Sequence, residues 1–94
     1  MARRSKFARK DNNAKELLRQ IRKVPGFHVV DVSDLKGIGF DWIVFSPRSK
    51  RNHLVELKNP ELNWKLEPDE ERMSHDWPRD WCIVETLEDL LNLR

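Results

Sequence analysis

Cysteine is almost absent from the sequence, since only Cys82 occurs among 94 residues. A single cysteine excludes an internal disulfide and a zinc site built from several thiolates. No apolar run reaches the ~18 residues that a membrane-spanning helix needs, and the basic N-terminus lacks the apolar segment of a signal peptide. We therefore expect a soluble, cytoplasmic protein with no membrane partner.

Apolar residues are also scarce. Hydrophobic side chains make up 38% of the chain and charged side chains 36%. A chain of this length fits one domain and buries only ~60–65% of its unfolded surface. Its stability is therefore expected to be marginal without a metal, a partner or a dimer contact.

The net charge of +2 is unevenly distributed. Residues 1–25 carry nine bases and two acids, whereas residues 67–94 carry three bases and nine acids. We expect residues 1–10 to form a flexible basic arm and residues 11–94 a single domain. Such an arm suits contacts with a phosphate backbone, although a solubilising tail has the same composition. The candidate DNA-binding residues of the arm are Arg3, Arg4, Lys6, Arg9 and Lys10.

Three helices are predicted. Apolar residues three or four apart indicate a helix at about 11–23, which Pro25 ends. A second helix is predicted at about 68–77, because proline fits the first helical turn. Thr86 is expected to cap a short third helix.

Four strands are predicted between these helices. Apolar, β-branched or alternating segments indicate strands at 27–32, 40–45, 53–58 and 82–84. The element order is then α-β-β-β-α-β-α. Two hairpin-like connections and one crossover helix imply an α/β fold with a mixed central sheet.

Acidic residues on two neighbouring strands are the strongest chemical signal. Glu56 and Lys58 lie two apart on a strand, so their side chains leave the same face. Asp41 opens the preceding strand, and a hairpin can place its carboxylate beside Glu56. Two close carboxylates repel unless a cation lies between them, and Mg²⁺ suits that position. Lys58 can then stabilise charge on a phosphate, although alternating charges on a solvent-exposed strand give the same pattern.

The order and spacing of these motifs resemble the PD-(D/E)xK nuclease superfamily, in particular its small phage-type VRR-NUC branch. The matching segments are residues 39–45, 56–58, 65–70, 81–84 and 86–89. Together they cover roughly residues 11–90. Phe40 stands where the family usually has proline, and Glu70 stands where it usually has glutamine.

The resemblance implies a restriction-endonuclease-like core and a Mg²⁺-dependent DNA endonuclease in which Mn²⁺ can substitute. The catalytic residues are then Asp41, Glu56, Lys58 and Glu70. The metal ligands are then Asp11, Asp41, Glu56 and the Leu57 carbonyl. Lys65 is either a phosphate contact or an ordinary solvated lysine. The resemblance and the small size together favour a homodimer acting on duplex or branched DNA, such as a four-way junction, in the host cytoplasm if the protein is phage-encoded.

The first-helix acid of the family has two candidates here. At about 100° per residue, Asp11 lies about 70° from the centre of the apolar face and Glu16 about 150° from it. Asp11 is therefore the better metal ligand, and Glu16 is expected to face solvent. Asp11 can equally be an acid favoured by the dipole at a helix N-terminus.

Four tryptophans have several possible roles. Trp42 and Trp81 are expected in the core, whereas Trp64 and Trp77 are candidates for an interface or for stacking on bases. An alternative function is thus a non-catalytic nucleic-acid-binding module that uses the basic arm and the tryptophans. A third is an interaction protein whose acidic C-terminal third mimics DNA.

Overall fold

The order of helices and strands matches the prediction. The structure, a computed structural model, describes the backbone of residues 5–94 and the side chains of residues 13–94. The helices are α1 (Ser5–Ile21), α2 (Pro68–Asp76) and α3 (Leu87–Leu91). The strands are β1 (His28–Asp31), β2 (Trp42–Ser46), β3 (Arg51–Leu57) and β4 (Trp81–Val84). The prediction of a small mixed α/β domain is confirmed.

The strands form a sheet in the order β1-β2-β3-β4. The β1–β2 and β2–β3 pairs are antiparallel, whereas β3 and β4 are parallel because the chain crosses over through α2. Trp42 pairs with Val55, and Val55 pairs with Cys82, so these three residues share one face of the sheet. The register therefore fixes the face on which every strand residue lies.

Helix α1 begins earlier than predicted, at Ser5 rather than near residue 11. Residues 5–10 contain neither proline nor glycine, so nothing in that segment interrupts a helix. The last six residues of the predicted arm lie in this helix. Asp11 consequently lies beyond the first turn, and the interpretation of Asp11 as an N-terminal dipole acid was wrong.

One face of the sheet carries the apolar core. Leu17 and Ile21 of α1 and Leu90 of α3 pack there against fully buried strand residues, among them Val44 and Val55. Trp42 is 1% exposed and belongs to this core, as predicted. Trp81 was expected there too, but its register pairing with Leu54 places it on the opposite face, where it is half-buried.

The opposite face lies against α2. By strand alternation it carries Glu56, while Val55 and Leu57 point toward α1 and α3. Lys58 follows the strand on the side of Glu56 and is 6% exposed, and Glu70 of α2 is 8% exposed. Within the described residues, no helix has the length and apolar content needed to cross a membrane.

Candidate active site

Asp41 is fixed by hydrogen bonds to strands on both sides. Its N–H donates to the Val55 carbonyl at 2.8 Å, and its carbonyl accepts from the Val32 N–H at 2.9 Å. One oxygen of its carboxylate, Oδ2, accepts the Leu57 N–H at 2.9 Å. The side chain of Asp41 therefore lies beside Leu57, the residue between Glu56 and Lys58.

Lys58 lies between two carboxylates. Its Nζ is 2.8 Å from Glu70 Oε1 and 3.5 Å from Glu56 Oε2. The backbone N–H of Lys58 donates to the Val84 carbonyl at 3.0 Å, which extends the pairing of β3 with β4. Sheet pairing thus fixes the main chain of Lys58, and the two acids fix its ammonium group.

Glu70 also belongs to the helix N-terminus. Its Oε1 accepts the backbone N–H of Glu67 at 3.0 Å, as the glutamate of a capping box does. The same oxygen accepts from Lys58 Nζ. Glu70 therefore couples the first turn of α2 to the end of β3.

Lys58 and Glu70 each stabilise the charged form of the other. Burial alone would lower the pKa of Lys58, but the hydrogen bond that its ammonium group donates to Glu70 and the charge of Glu56 outweigh burial and raise it. Burial alone would raise the pKa of Glu70, but the hydrogen bonds from Lys58 and from the Glu67 backbone outweigh burial and lower it. Lys58 is therefore a cation and Glu70 an anion at neutral pH.

One cavity of about 380 Å³ is lined by three of the predicted catalytic residues, Asp41, Glu56 and Lys58. The other lining residues belong to the 33–40 loop and to the beginning of α2, including Glu67, Asp69 and Glu70. The acids there outnumber the bases, so the cavity favours bound cations and disfavours a bare phosphodiester.

A glycine lets the loop close over α2. Gly39 has φ +85°, a conformation that side chains disfavour, and a Cβ there would lie 2.5 Å from the Asp69 carbonyl oxygen. The Gly39 carbonyl accepts the Trp81 indole N–H at 2.8 Å. This contact holds the loop that precedes Asp41 against α2 and Trp81.

The oxygen donors at this site are of the chemical type that Mg²⁺ prefers. Asp41, Glu56 and the Leu57 carbonyl offer hard oxygen ligands, and Mg²⁺ commonly takes one or two carboxylates and completes its shell with waters and substrate phosphates. Among the residues whose side chains are described, no three His, Cys, Asp or Glu residues form a group suited to a metal ion. The side chain of Asp11, the predicted fourth ligand, lies outside the described residues.

The remaining predicted residues lie away from this cavity or outside the described part of the chain. Arg3 and Arg4 are not described, nor are the side chains of Lys6, Arg9 and Lys10. Lys65 is exposed. Glu16 faces solvent as expected, and the hydrogen bond from Arg19 lowers its pKa.

Trp64 lies beside Lys58, a position that the sequence did not indicate. Its ring centroid lies 5.7 Å from Lys58 Nζ, and its indole N–H donates to Glu85 Oε2 at 2.9 Å. Trp64 was expected at an interface or stacked on bases, and nothing in the 59–67 segment indicates that the chain returns to Lys58. Trp77, the other candidate, is 51% exposed.

Comparison of this chain with family models, with curated proteins and with solved structures gave no match.

Proposed function

We propose that this protein is a divalent-metal-dependent DNA endonuclease of the PD-(D/E)xK type, with a restriction-endonuclease-like core. The observation that carries the proposal is the common cavity of Asp41, Glu56 and Lys58. Two of these residues, Glu56 and Lys58, are almost fully buried although charged. A module that only binds DNA gains nothing from acids placed along the path of the phosphates, whereas metal-dependent phosphodiester hydrolysis uses such acids to hold the metal.

The metal would be held by Asp41, Glu56 and the Leu57 carbonyl, with Asp11 as a further candidate. Bound Mg²⁺ or Mn²⁺ supplies Lewis-acid polarisation of the phosphodiester. The hydrogen bond from the Leu57 N–H to Oδ2 orients the Asp41 carboxylate. Asp41 is thereby positioned before any ligand arrives.

In hydrolysis, water attacks phosphorus and the bond to the leaving oxygen breaks; Lys58 stabilises the negative charge that builds up on the phosphate oxygens during the attack. An ammonium group has three donors, and a preorganised charge of this kind is typically worth about 10²–10³ in rate. Glu70 is suited to orienting this ammonium group, as its 2.8 Å contact with Lys58 indicates. Glutamate in place of the family's glutamine adds a negative charge, which keeps Lys58 protonated.

The substrate proposed is duplex or branched DNA, including the four-way junction, and the assembly proposed is a homodimer. A chain of 94 residues offers little surface for gripping a duplex, and a two-fold contact doubles that surface. The exposed Trp77 at the end of α2 is the candidate contact. Sedimentation at micromolar concentration and mapping of cuts on a synthetic junction test both points: a monomer with unpaired cuts excludes the dimer.

The test of the function is nicking of supercoiled plasmid by purified protein. We expect nicking with Mg²⁺ or Mn²⁺, none after chelation, and none from Asp41→Asn. Asp76→Asn is the matched control, because Asp76 is an exposed acid at the end of α2. DNA binding without any nicking would favour the nucleic-acid-binding module instead, and full activity of Asp41→Asn would exclude the proposed site.

A further inference from the structure

The connection between β3 and α2 folds back onto Lys58. Asn59 is 8% exposed, its side-chain oxygen accepts the Glu61 N–H at 2.9 Å, and its carbonyl accepts the Leu62 N–H at 3.0 Å. These bonds make a tight turn directly after Lys58. The turn brings Trp64 back to the ammonium group that lies six residues earlier.

Trp64 is anchored at its other end. Its indole N–H donates to Glu85 Oε2, and Glu85 directly follows Val84, whose carbonyl accepts the backbone N–H of Lys58. The main chain of Lys58 and the ring of Trp64 are therefore both tied to adjacent residues at the end of β4. Glu85 is in turn held by the cap of α3, since its N–H donates to Asp89 Oδ2 at 2.9 Å.

We infer that Trp64 is a positioning residue for Lys58, with Glu85 as its anchor. This inference rests on the proposed function. A cation 5.7 Å from a tryptophan ring centroid is within the range in which the ring attracts it. The ring adds a third attractive contact to the two carboxylates, and together they favour one position of the ammonium group in the cavity.

An alternative role for Trp64 is stacking on a DNA base. The two roles differ in what they change, because stacking contributes to the affinity for DNA, whereas positioning contributes to the rate of the chemical step. The hydrogen bond to Glu85 favours positioning, since it holds the half-buried indole against the protein.

The test compares Trp64→Leu, which removes the ring, with Trp64→Phe, which retains an aromatic face without the N–H. For Trp64→Leu we expect kcat to fall about 10-fold, because small displacements of a catalytic group are costly, with KM for DNA within about 2-fold. Trp64→Phe keeps the aromatic face but loses the anchor to Glu85, so its rate should lie between those of Trp64→Leu and the wild-type protein. Val30→Ala truncates an exposed apolar residue of β1 that has no proposed role, and it should leave both constants unchanged.

A second measurement does not depend on cleavage. In NMR spectra of protein with ¹³C-labelled lysine, the Cε protons of Lys58 should be shifted upfield by the ring of Trp64. Trp64→Leu should abolish that shift and Trp77→Leu should preserve it. The absence of the shift in the wild-type protein overturns the inference.

The outcomes separate the inference from the proposed function. A wild-type protein that cleaves DNA, with a Trp64→Leu variant of unchanged kcat or a selectively raised KM, overturns the positioning role alone. A wild-type protein that never cleaves DNA overturns the proposed function and with it the catalytic part of the inference, whatever the lysine spectrum shows.

Discussion

The two faces of the sheet bury their side chains by different means. On the face toward α1 and α3, burial is apolar, and Ile21, Val55 and Leu90 are fully excluded from solvent. On the face toward α2, the buried side chains are two acids, Glu56 and Glu70, that share the ammonium group of Lys58. Apolar burial stabilises a fold at about 25 cal/mol per Å², whereas a buried ion pair is often no better than an apolar replacement. The charged face is therefore better explained by function than by stability.

The largest expected effect is on the charged face. We expect Lys58→Met to slow DNA cleavage by about 10²–10³. The variant also leaves two buried acids without their cation, so its free energy of unfolding should fall, by about 3–5 kcal/mol where one partner of a buried pair is lost. Single-turnover cleavage and urea unfolding measure the two effects.

Two controls separate catalysis from folding in this prediction. The double variant Lys58→Met/Glu70→Gln removes one positive and one negative charge, and it should regain stability without regaining activity. Lys23→Met alters an exposed lysine just beyond α1 and should cut DNA at the wild-type rate. If the double variant is both stable and active, Lys58 is not catalytic.

The apolar face should give the opposite pattern. We expect Leu90→Ala to lower the free energy of unfolding by about 2–5 kcal/mol, because a fully buried leucine is truncated. The cleavage rate of the folded fraction should be unchanged, since α3 packs on the face away from the cavity. Leu35→Ala, at a leucine 59% exposed, should change stability by no more than about 0.5 kcal/mol. A loss of rate per folded molecule in Leu90→Ala would show that the two faces are coupled.

The basic N-terminal segment should contribute affinity rather than chemistry. Replacing Lys6, Arg9 and Lys10 with glutamine should weaken DNA binding and reduce the slope of log K against log salt by about 0.9 per lost phosphate contact. Arg22 and Lys23, exposed at the other end of α1, provide the matched glutamine control. Anisotropy titrations with Ca²⁺ at several salt concentrations measure the slope, and an unchanged slope would make the segment a passive one.

The smallest effect concerns the stability of the charged face in acid. The hydrogen bonds from Lys58 and the Glu67 backbone hold the pKa of Glu70 below its ordinary 4.5 despite burial. The unfolded state therefore takes up a proton first, so this contribution is complete above about pH 4.5 and is lost as the pH falls below it. In urea unfolding at several pH values, the free energy of unfolding of Glu70→Gln should fall less in acid than that of the wild-type protein. Glu71→Gln, at the exposed neighbour, should show the wild-type dependence.

Much of this arrangement could be predicted from local patterns. The alternation of side chains along a strand predicted that Glu56 and Lys58 share one face. The preference for threonine at helix N-caps predicted the cap of α3, where Thr86 Oγ1 accepts the Asp89 N–H. Proline at the start of α2 placed Glu70 in its first turn. Each of these depends on a few consecutive residues, which is why the sequence is informative about them.

Contacts across irregular segments could not be predicted. The return of Trp64 to Lys58 depends on a turn at Asn59, and the bond from the Leu57 N–H to Asp41 depends on how β2 begins beside β3. The start of α1 at Ser5 could not be predicted from apolar spacing, because three of the six residues at 5–10 are basic.

The most direct test of the account is the location of the divalent cation. Mn²⁺ added to ¹⁵N-labelled protein broadens the NMR signals of amides near it, and this requires neither DNA nor cleavage. If the cation binds at the proposed site, the amides of Asp41, Glu56 and Leu57 broaden first, and the amides of α3 are unaffected at the same Mn²⁺ concentration. Early broadening at the acids of residues 85–89, with sharp signals at Asp41 and Glu56, would contradict it.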